Sequence, residues 1–371
     1  MRALAWLGAG AVLLAACGGT PNTSLPADSP GTEATPAPTV ASTPAPSPVA
    51  VPDLKAYAKL RVFVASESTN SVYVFDGAPD GQFAQVGTIP VGKTPHQLSV
   101  SPDGHWVAVN NRMGNSTSII DPTAMKEVAR LMVGTQPHGI TWSPDGRTLF
   151  VAHEKSNYIA RFEADTWLPM PPLMVGAPQH VLTINPQRPN ELWFTLTNTS
   201  EVDVLREYDL STNKVDRVKI GDVHDAYFTP DGSEIWSSSS GFLDKPSDRM
   251  VIYDPATRTV KQEIHFPGHY PFHSLKRFQD GMYYPRDTNV MVLSDHTAPG
   301  LMWVDWRERK ILGETKLGQQ PFHSTYDPEG NRILVTTNVD GMVNVIDLKT
   351  HEVIQKVPVP KAHGIASVGI P

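Results

Sequence analysis

The sequence predicts an all-β fold, a seven-bladed β-propeller with four-stranded blades, and three observations indicate it. A short motif centred on histidine recurs seven times at intervals of 40 to 50 residues, a period typical of propellers and solenoids. Each period holds four short runs rich in β-branched and aromatic residues, separated by Pro-Asp-Gly and Asn-rich turns. No segment keeps the 3.6-residue apolar period of a helical repeat. Four short strands per repeat is the content of one propeller blade.

The first complete repeat shows how each strand is recognised. Its first strand starts at Thr94-Pro95-His96 and ends at the turn Ser101-Pro102-Asp103-Gly104. The second strand covers residues 106–109, the third covers residues 118–121 and ends in Asp, and the fourth covers residues 127–131. Later repeats carry the same order of strand and turn signals.

The N-terminal residues 1–17 have the pattern of a bacterial export signal. One arginine precedes an apolar run that is too short to span a bilayer, and Leu14-Ala15-Ala16-Cys17 matches a lipobox. We expect lipidation of Cys17 and anchoring at the membrane, facing the periplasm or the cell exterior, because several acyl chains on one residue hold it firmly. Cys17 is the only cysteine, so no internal disulfide or thiolate metal site is expected.

Residues 18–52 are predicted to be a disordered tether. They contain nine prolines, many Ser, Thr and Ala, and only two charged residues, so they cannot bury enough apolar surface to fold. The propeller is then predicted for residues 53–371.

The two ends of that region should complete one blade together. Residues 60–92 supply three strands, and the C-terminal residues 363–368 supply the innermost strand that they lack. Pairing of the N- and C-terminal strands would close the ring and remove exposed sheet edges.

The histidines are the candidate functional residues. In a propeller the first strand of each blade is innermost, so a residue at a fixed offset in every blade forms a ring at one rim of the central channel. The residues that follow each histidine differ, so recent duplication does not explain why histidine is kept. The predicted ring consists of His96, His138, His180, His224, His273, His323 and His363.

Such a ring points to metal binding. Imidazole suits copper, zinc, nickel and iron, and a bound ion would offset the repulsion of clustered histidines. Few carboxylates are expected at the rim, chiefly Asp222 and Asp225 beside His224. Seven ligands exceed the four of a tetrahedral zinc site, which leaves room for a multinuclear cluster. Copper is the metal we expect.

The repeat also resembles a known family. The pattern Val-Gly-x-x-Pro-His-x-x-x-x-Ser-Pro-Asp-Gly is similar to the YVTN-type repeat of bacterial seven-bladed propellers over nearly all of residues 58–371, and best over 91–160 and 318–365. The resemblance implies a surface or periplasmic binding protein. In role, the seven histidines are similar to the ring that surrounds a multinuclear copper site in the propeller domain of nitrous oxide reductases. The cysteine-containing copper domain and the His-His pairs of those enzymes are missing, so the resemblance implies copper binding at a rim only.

Two other functions remain open. The rim could recognise a polymer, peptide or anion of the cell envelope without metal, or an oxidoreductase could hold a haem d1-like cofactor over the rim. A c-type haem motif is absent, which removes a built-in electron donor. No phosphate loop, nucleophile elbow or His-Glu-x-x-His motif is present, so catalysis stays open, leaning against an enzyme.

Charge and the remaining residues complete the sequence-based expectations. The net charge of −7 and the lack of a basic stripe argue against nucleic acid. We expect a monomer that meets the membrane through Cys17 and another exported protein as partner. His153 and His296 are interpreted as turn or surface residues, and His269 and Tyr270 as groups that support or shield the ring. Packing between blades is the role expected of five tryptophans: Trp106, Trp142, Trp193, Trp236 and Trp303.

Overall fold

The structure is a computed structural model of the chain. It describes residues 59–78, 81–185, 187–196, 205–218, 223–229, 231–238, 247–269, 271–274, 289–295, 299–327 and 331–370. The chain divides into two units, residues 1–45 and 46–371, and every described residue belongs to the second. The predicted export signal at 1–17, the lipidation site Cys17 and the tether at 18–52 lie outside the described residues. No helix among the described residues is both long and apolar enough to cross a membrane.

Seven four-stranded antiparallel sheets build the predicted propeller, which confirms the fold class. Six sheets use four consecutive strands, as expected when each repeat is one supersecondary unit. The strands in chain order are β1 (Lys59–Ser66), β2 (Ser71–Gly77), β3 (Phe83–Pro90), β4 (Pro95–Val100), β5 (Val107–Asn111), β6 (Ser116–Asp121), β7 (Lys126–Met132), β8 (Pro137–Trp142), β9 (Thr148–His153), β10 (Tyr158–Glu163), β11 (Pro169–Met174), β12 (Gln179–Asn185), β13 (Arg188–Leu196), β14 (Leu205–Asp209), β15 (Lys214–Val218), β16 (Ala226–Phe228), β17 (Ile235–Ser238), β18 (Arg249–Asp254), β19 (Thr259–His265), β20 (Pro271–Ser274), β21 (Val290–Asp295), β22 (Gly300–Asp305), β23 (Lys310–Lys316), β24 (Pro321–Asp327), β25 (Arg332–Thr337), β26 (Met342–Asp347), β27 (Val353–Pro358) and β28 (Ala362–Ile370).

The seventh sheet closes the ring by joining the two ends of the propeller. Its order is β28-β1-β2-β3, and β28 pairs antiparallel with β1 from Lys59↔Ile370 to Ser66↔Ala362. This confirms the predicted closure by N- and C-terminal strands. Because the closing strand is the innermost one, β28 also contacts the first strands of both neighbouring blades, β24 and β4.

The core lies between the blades. The second strands β5 and β25 are buried at every residue because neighbouring sheets cover both faces, whereas the outer strand β7 alternates exposed with half-buried or buried residues. One cluster joins Phe150 of β9, Trp193 of β13 and Ile235 of β17, and so spans three blades. Of the five tryptophans, four are buried as expected, while Trp106 is half-buried and donates a hydrogen bond from Nε1 to Asp165 at 2.8 Å.

The Pro-Asp-Gly turns explain why the first strand turns into the second in the repeats that carry this motif. Ser101 Oγ donates to Asp103 Oδ1 at 2.5 Å, and the N–H of Trp106 donates to Ser101 Oγ at 2.9 Å. Gly104 has a φ of +75°, a left-handed conformation that glycine adopts without a steric penalty. Side-chain and backbone hydrogen bonds therefore fix the turn locally, which makes it readable in the sequence.

The prediction that His153 is a turn or surface residue was wrong. It is the last residue of β9 and fully buried, with Nε2 accepting from the N–H of Gly134 at 2.8 Å and Nδ1 donating to the carbonyl of Tyr158 at 3.0 Å. It pairs with Pro137 of β8, the residue before His138. Burial lowers the pKa of His153 to about 4, despite the opposing effect of the Tyr158 carbonyl. His296 lies outside the described residues.

Candidate metal centre

The start of each first strand places histidine at one rim. Four histidines are the second residue of their strands, namely His96 of β4, His138 of β8, His180 of β12 and His363 of β28. His323 is the third residue of β24, and His224 lies two residues before β16. The backbone of His273 lies in β20, but its side chain is outside the described part of the structure.

The chain enters three of these strands through a left-handed residue that is not glycine. Thr94, Gln136 and Lys361 have φ values of +56°, +54° and +48°, each two residues before a histidine. This conformation costs about 1–3 kcal/mol at a residue with a side chain, so its repetition indicates a tightly determined rim.

The carbonyl of each left-handed residue accepts a backbone hydrogen bond from a residue just after a second strand. The donors are Arg112 to Thr94, Glu154 to Gln136 and Glu67 to Lys361, at 2.9, 2.9 and 3.2 Å. Asn338 makes the same bond to Gln320 at 3.0 Å. Polar side chains at this repeated position therefore stand next to the histidines.

Six imidazole rings contact one another in sequence around the rim. Consecutive ring centroids lie 4.9, 3.6, 4.6, 3.8 and 4.3 Å apart. We call this set the histidine arc; in spatial order it consists of His323, His363, His96, His138, His180 and His224. The structure thus brings together six of the seven predicted site residues, while their role as metal ligands stays a prediction.

The arc is largely shielded from solvent. His96, His138, His180, His323 and His363 are all buried, and His224 is partly buried. Burial, together with the neighbouring His180 and His96, holds the pKa of His138 well below its usual value. A neutral imidazole is the form that coordinates a metal ion.

Hydrogen bonds fix which nitrogen of three rings carries the proton. Nδ1 of His138 donates to the carbonyl of His180 at 3.1 Å, and Nδ1 of His363 donates to the carbonyl of His96 at 3.3 Å. Nδ1 of His96 lies 2.7 Å from Oε1 of Glu67, whose carboxylate accepts. In a neutral ring the other nitrogen, Nε2, then holds a lone pair.

Two of these lone-pair nitrogens face each other. Nε2 of His96 lies 2.9 Å from Nε2 of His138. Two acceptors at this separation repel unless a proton or a cation lies between them. A shared proton or a bound cation would each relieve this repulsion.

Two glycines permit the bonds that orient the rings. Gly139 follows His138, and a Cβ there would lie 2.5 Å from the carbonyl oxygen of His180. Gly364 follows His363 and approaches the carbonyl oxygen of His96 even more closely. Only glycine lets the first strands come near enough for each imidazole to reach the next histidine's carbonyl.

Carboxylates complete three groups of potential metal donors. Sequence reasoning identified Asp225, which is buried, but missed Glu67 and Glu154; Asp222 lies outside the described residues. The signal that could have found them is their position directly after the second strand of a blade. Within each group, one donor atom per side chain lies within 4.8 Å of the others: Glu67, His96 and His363; His138, Glu154 and His180; and His180, His224 and Asp225.

Each carboxylate is held by a polar neighbour. Arg112 pairs with Glu154 at 2.6 Å, Asn338 donates to Glu67 at 3.2 Å, and the Tyr227 hydroxyl donates to Asp225 at 3.0 Å. Such supporting contacts fix the orientation of metal-binding groups.

His269, expected to support or shield the ring, pairs with carboxylates of its own blade. Its Nδ1 lies 2.6 Å from Asp295 and its Nε2 lies 3.5 Å from Glu314. Tyr270 lies outside the described residues.

Solved structures similar to this chain share its fold at low sequence identity. A putative 6-phosphogluconolactonase from Bacteroides fragilis is 16% identical, with a TM-score of 0.66 over 84% of this chain and 98% of the other. Apo AztD from Citrobacter koseri is 16% identical, with a TM-score of 0.59 over 84% of this chain and 99% of the other. Dihydro-heme d1 dehydrogenase NirN is 18% identical, with a TM-score of 0.60 over 80% of this chain and 63% of the other.

These likenesses establish the architecture alone, since the names attached to the fold differ so widely. Comparison with curated proteins gives no match. The family model described as YNCE-like beta-propeller matches residues 11–369. The chain therefore belongs to the YNCE-like β-propeller family.

Proposed function

We propose that this chain is a metal-binding propeller whose histidine arc holds divalent transition-metal ions, copper most tightly. The observation that carries the proposal is the 2.9 Å separation of the Nε2 atoms of His96 and His138. Both rings commit Nδ1 to an acceptor, so an ion between the two Nε2 atoms would turn a repulsive contact into coordination.

The imidazole and carboxylate donors favour a metal ion of borderline softness. Imidazole with carboxylate is a ligand set found for zinc and copper, and carboxylates offset the charge of the ion. For a given set of nitrogen and oxygen donors, Cu²⁺ binds more tightly than Zn²⁺.

The spacing of the two nitrogens favours copper as well. With metal–nitrogen distances of about 2.0–2.1 Å, nitrogens 2.9 Å apart subtend an angle of about 90°, whereas tetrahedral ligands lie about 3.3 Å apart. An angle near 90° belongs to the tetragonal geometry of Cu²⁺. Binding needs only these donors, so we propose no catalysed reaction.

We also propose that the protein is exported and anchored through Cys17. The support is the lipobox Leu14-Ala15-Ala16-Cys17 at the end of a short apolar run. A tethered binder of this kind would exchange its ion with another exported protein. Mass spectrometry of the mature N-terminus tests this step, because an unmodified Met1 or an unlipidated Cys17 would contradict it.

Metal content of the purified full chain tests the binding proposal. The protein is prepared without a polyhistidine tag and with Cys17 replaced by serine, so that no tag or thiol competes. It is then incubated with limiting copper, zinc, nickel and iron, dialysed and measured by plasma mass spectrometry. We expect more than one equivalent of copper to be retained.

Matched histidine variants show where the metal sits. His96→Ala and His138→Ala should lose copper, while His105→Ala and His265→Ala, which change exposed histidines, should retain it. Retention of zinc rather than copper would overturn the choice of metal. Absence of all metal would favour an envelope binding protein, and a visible haem-like chromophore would favour the cofactor-dependent alternative.

A further inference from the structure

His180 differs from the other members of the histidine arc because its two nitrogens face two different carboxylates. Nε2 of His180 lies 3.9 Å from Oε1 of Glu154, and Nδ1 lies 3.8 Å from Oδ1 of Asp225. Glu154 and Asp225 are both buried, and they approach the imidazole through opposite ring nitrogens.

Each carboxylate also lies near a second histidine. Oε1 of Glu154 is 4.0 Å from Nε2 of His138, and Oδ1 of Asp225 is 3.1 Å from Nδ1 of His224. Two groups of three donors therefore share His180 and no other described residue.

The residue after the histidine distinguishes His180 from His138 and His363. Gly139 and Gly364 allow close approach to the next histidine's carbonyl, whereas Val181 stands at that position after His180. Its Cβ excludes the same close approach, since even a Cβ at Gly139 would meet a carbonyl oxygen at 2.5 Å.

We propose that His180 bridges two metal ions, one held with His138 and Glu154, the other with His224 and Asp225. This inference rests on the proposed metal-binding function and specifies the nuclearity of the site. The second ion replaces the one ring proton of neutral His180, which is released to solvent, so the bridge is an imidazolate. Two carboxylates and the imidazolate would then offset three of the four positive charges of the two divalent ions, which leaves a net charge of +1.

Copper itself is the probe, because two Cu²⁺ ions joined by an imidazolate couple antiferromagnetically. The full chain carries Cys17→Ser, Glu67→Gln and His363→Asn, which remove the thiol and the third donor group. Electron paramagnetic resonance is recorded while Cu²⁺ is added. The first equivalent should give a full signal, and the second should make that signal fall rather than double.

Asp225→Asn in this background removes a donor from the second group only. It should leave the signal of one isolated Cu²⁺ and no fall on further addition. Asp165→Asn, an exposed aspartate that accepts from Trp106 Nε1, is the matched control and should behave like the background chain. Circular dichroism of each variant confirms that the propeller is folded.

The outcomes separate the two proposals. Two bound ions with an additive signal, a single bound ion in the background chain, or a signal that still falls in Asp225→Asn would each overturn the bridge while leaving metal binding intact. Failure to bind any copper in the Cys17→Ser chain would overturn the proposed function itself.

Discussion

At the scale of single residues, histidine has two different roles in neighbouring parts of the same blades. In the arc, histidine nitrogens face one another and nearby carboxylates. At the end of β9, opposite Pro137, both nitrogens of His153 bond to the backbone, at Gly134 and Tyr158, and join two chain segments. Identity of the side chain therefore does not decide its role; the groups that meet its two nitrogens do.

His153 should make stability depend on pH. Its pKa in the folded protein is about 4, below the ordinary value of 6.5 that applies in the unfolded chain. The unfolded chain thus binds more protons between these values, so this contribution is complete above pH 6.5 and is lost as pH falls toward 4. The full effect is about 3 kcal/mol.

His153→Asn tests this contribution, because Asn111 occupies the equivalent strand position in the preceding blade. Urea unfolding at pH 7 and pH 4.5 should show a smaller pH-dependent loss in the variant than in the wild-type chain. Equal losses in the two proteins would mean that His153 is not neutral in the folded state.

The carboxylates beside the histidine arc should affect the affinity for metal but have little effect on folding. Glu67→Gln and Glu154→Gln each keep the shape of the side chain and remove its charge, so we expect copper affinity to fall by about 10- to 100-fold. Competition with a chelator measures the affinity. Glu263→Gln, at an exposed position on β19, is the control and should leave affinity unchanged.

At the scale of strands, the approach of one blade's first strand to the next sets the orientation of the imidazoles. Close approaches occur at Gly139 and Gly364, which follow the two histidines that donate to the next histidine's carbonyl. The glycine is therefore part of the site although it has no side chain to offer.

Gly139→Ala should weaken both metal binding and the fold. The added Cβ would lie 2.5 Å from the His180 carbonyl oxygen, so the strands must separate, at a cost of about 1–3 kcal/mol. Gly87→Ala on β3 is the control, because its Cβ would meet only the Met125 side chain at an ordinary 3.7 Å. Thermal unfolding and copper retention are the measurements, and equal behaviour of the two variants would contradict the expectation.

At the scale of the whole molecule, the ring is held closed by β28. A chain ending at Pro360 loses this strand, which exposes the edge of β1 and removes His363. We expect loss of cooperative unfolding and aggregation through the open edge. A chain ending at Val368 keeps the β1–β28 pairs from Arg61↔Val368 to Ser66↔Ala362 and should fold. A cooperative transition in the shorter chain would show that closure is dispensable.

The sequence predicted the architecture well because its determinants are local and repeated. The Ser-x-Asp-Gly turn bonds, the strand patterns and the histidine offset can all be read within one repeat. Glu67 and Glu154 were missed because their position holds Arg112 and Asn338 in other blades, so no repeated identity marks it. Their nearness to the histidines arises only when neighbouring blades pack. The environment of His153 was misjudged for the same reason, and lipidation of Cys17 stays a prediction.

The closing strand also determines when, during synthesis of the chain, the histidine arc can be completed. Among the described strands β28 is synthesised last, and it carries His363, which stacks on His96 at 3.6 Å and lies in one donor group with Glu67. A chain in which β28 has not yet been made therefore lacks one of the three donors of that group, even if its earlier blades have folded. Full occupancy of the arc would therefore require that β28 has been made and that it has paired with β1 to close the ring.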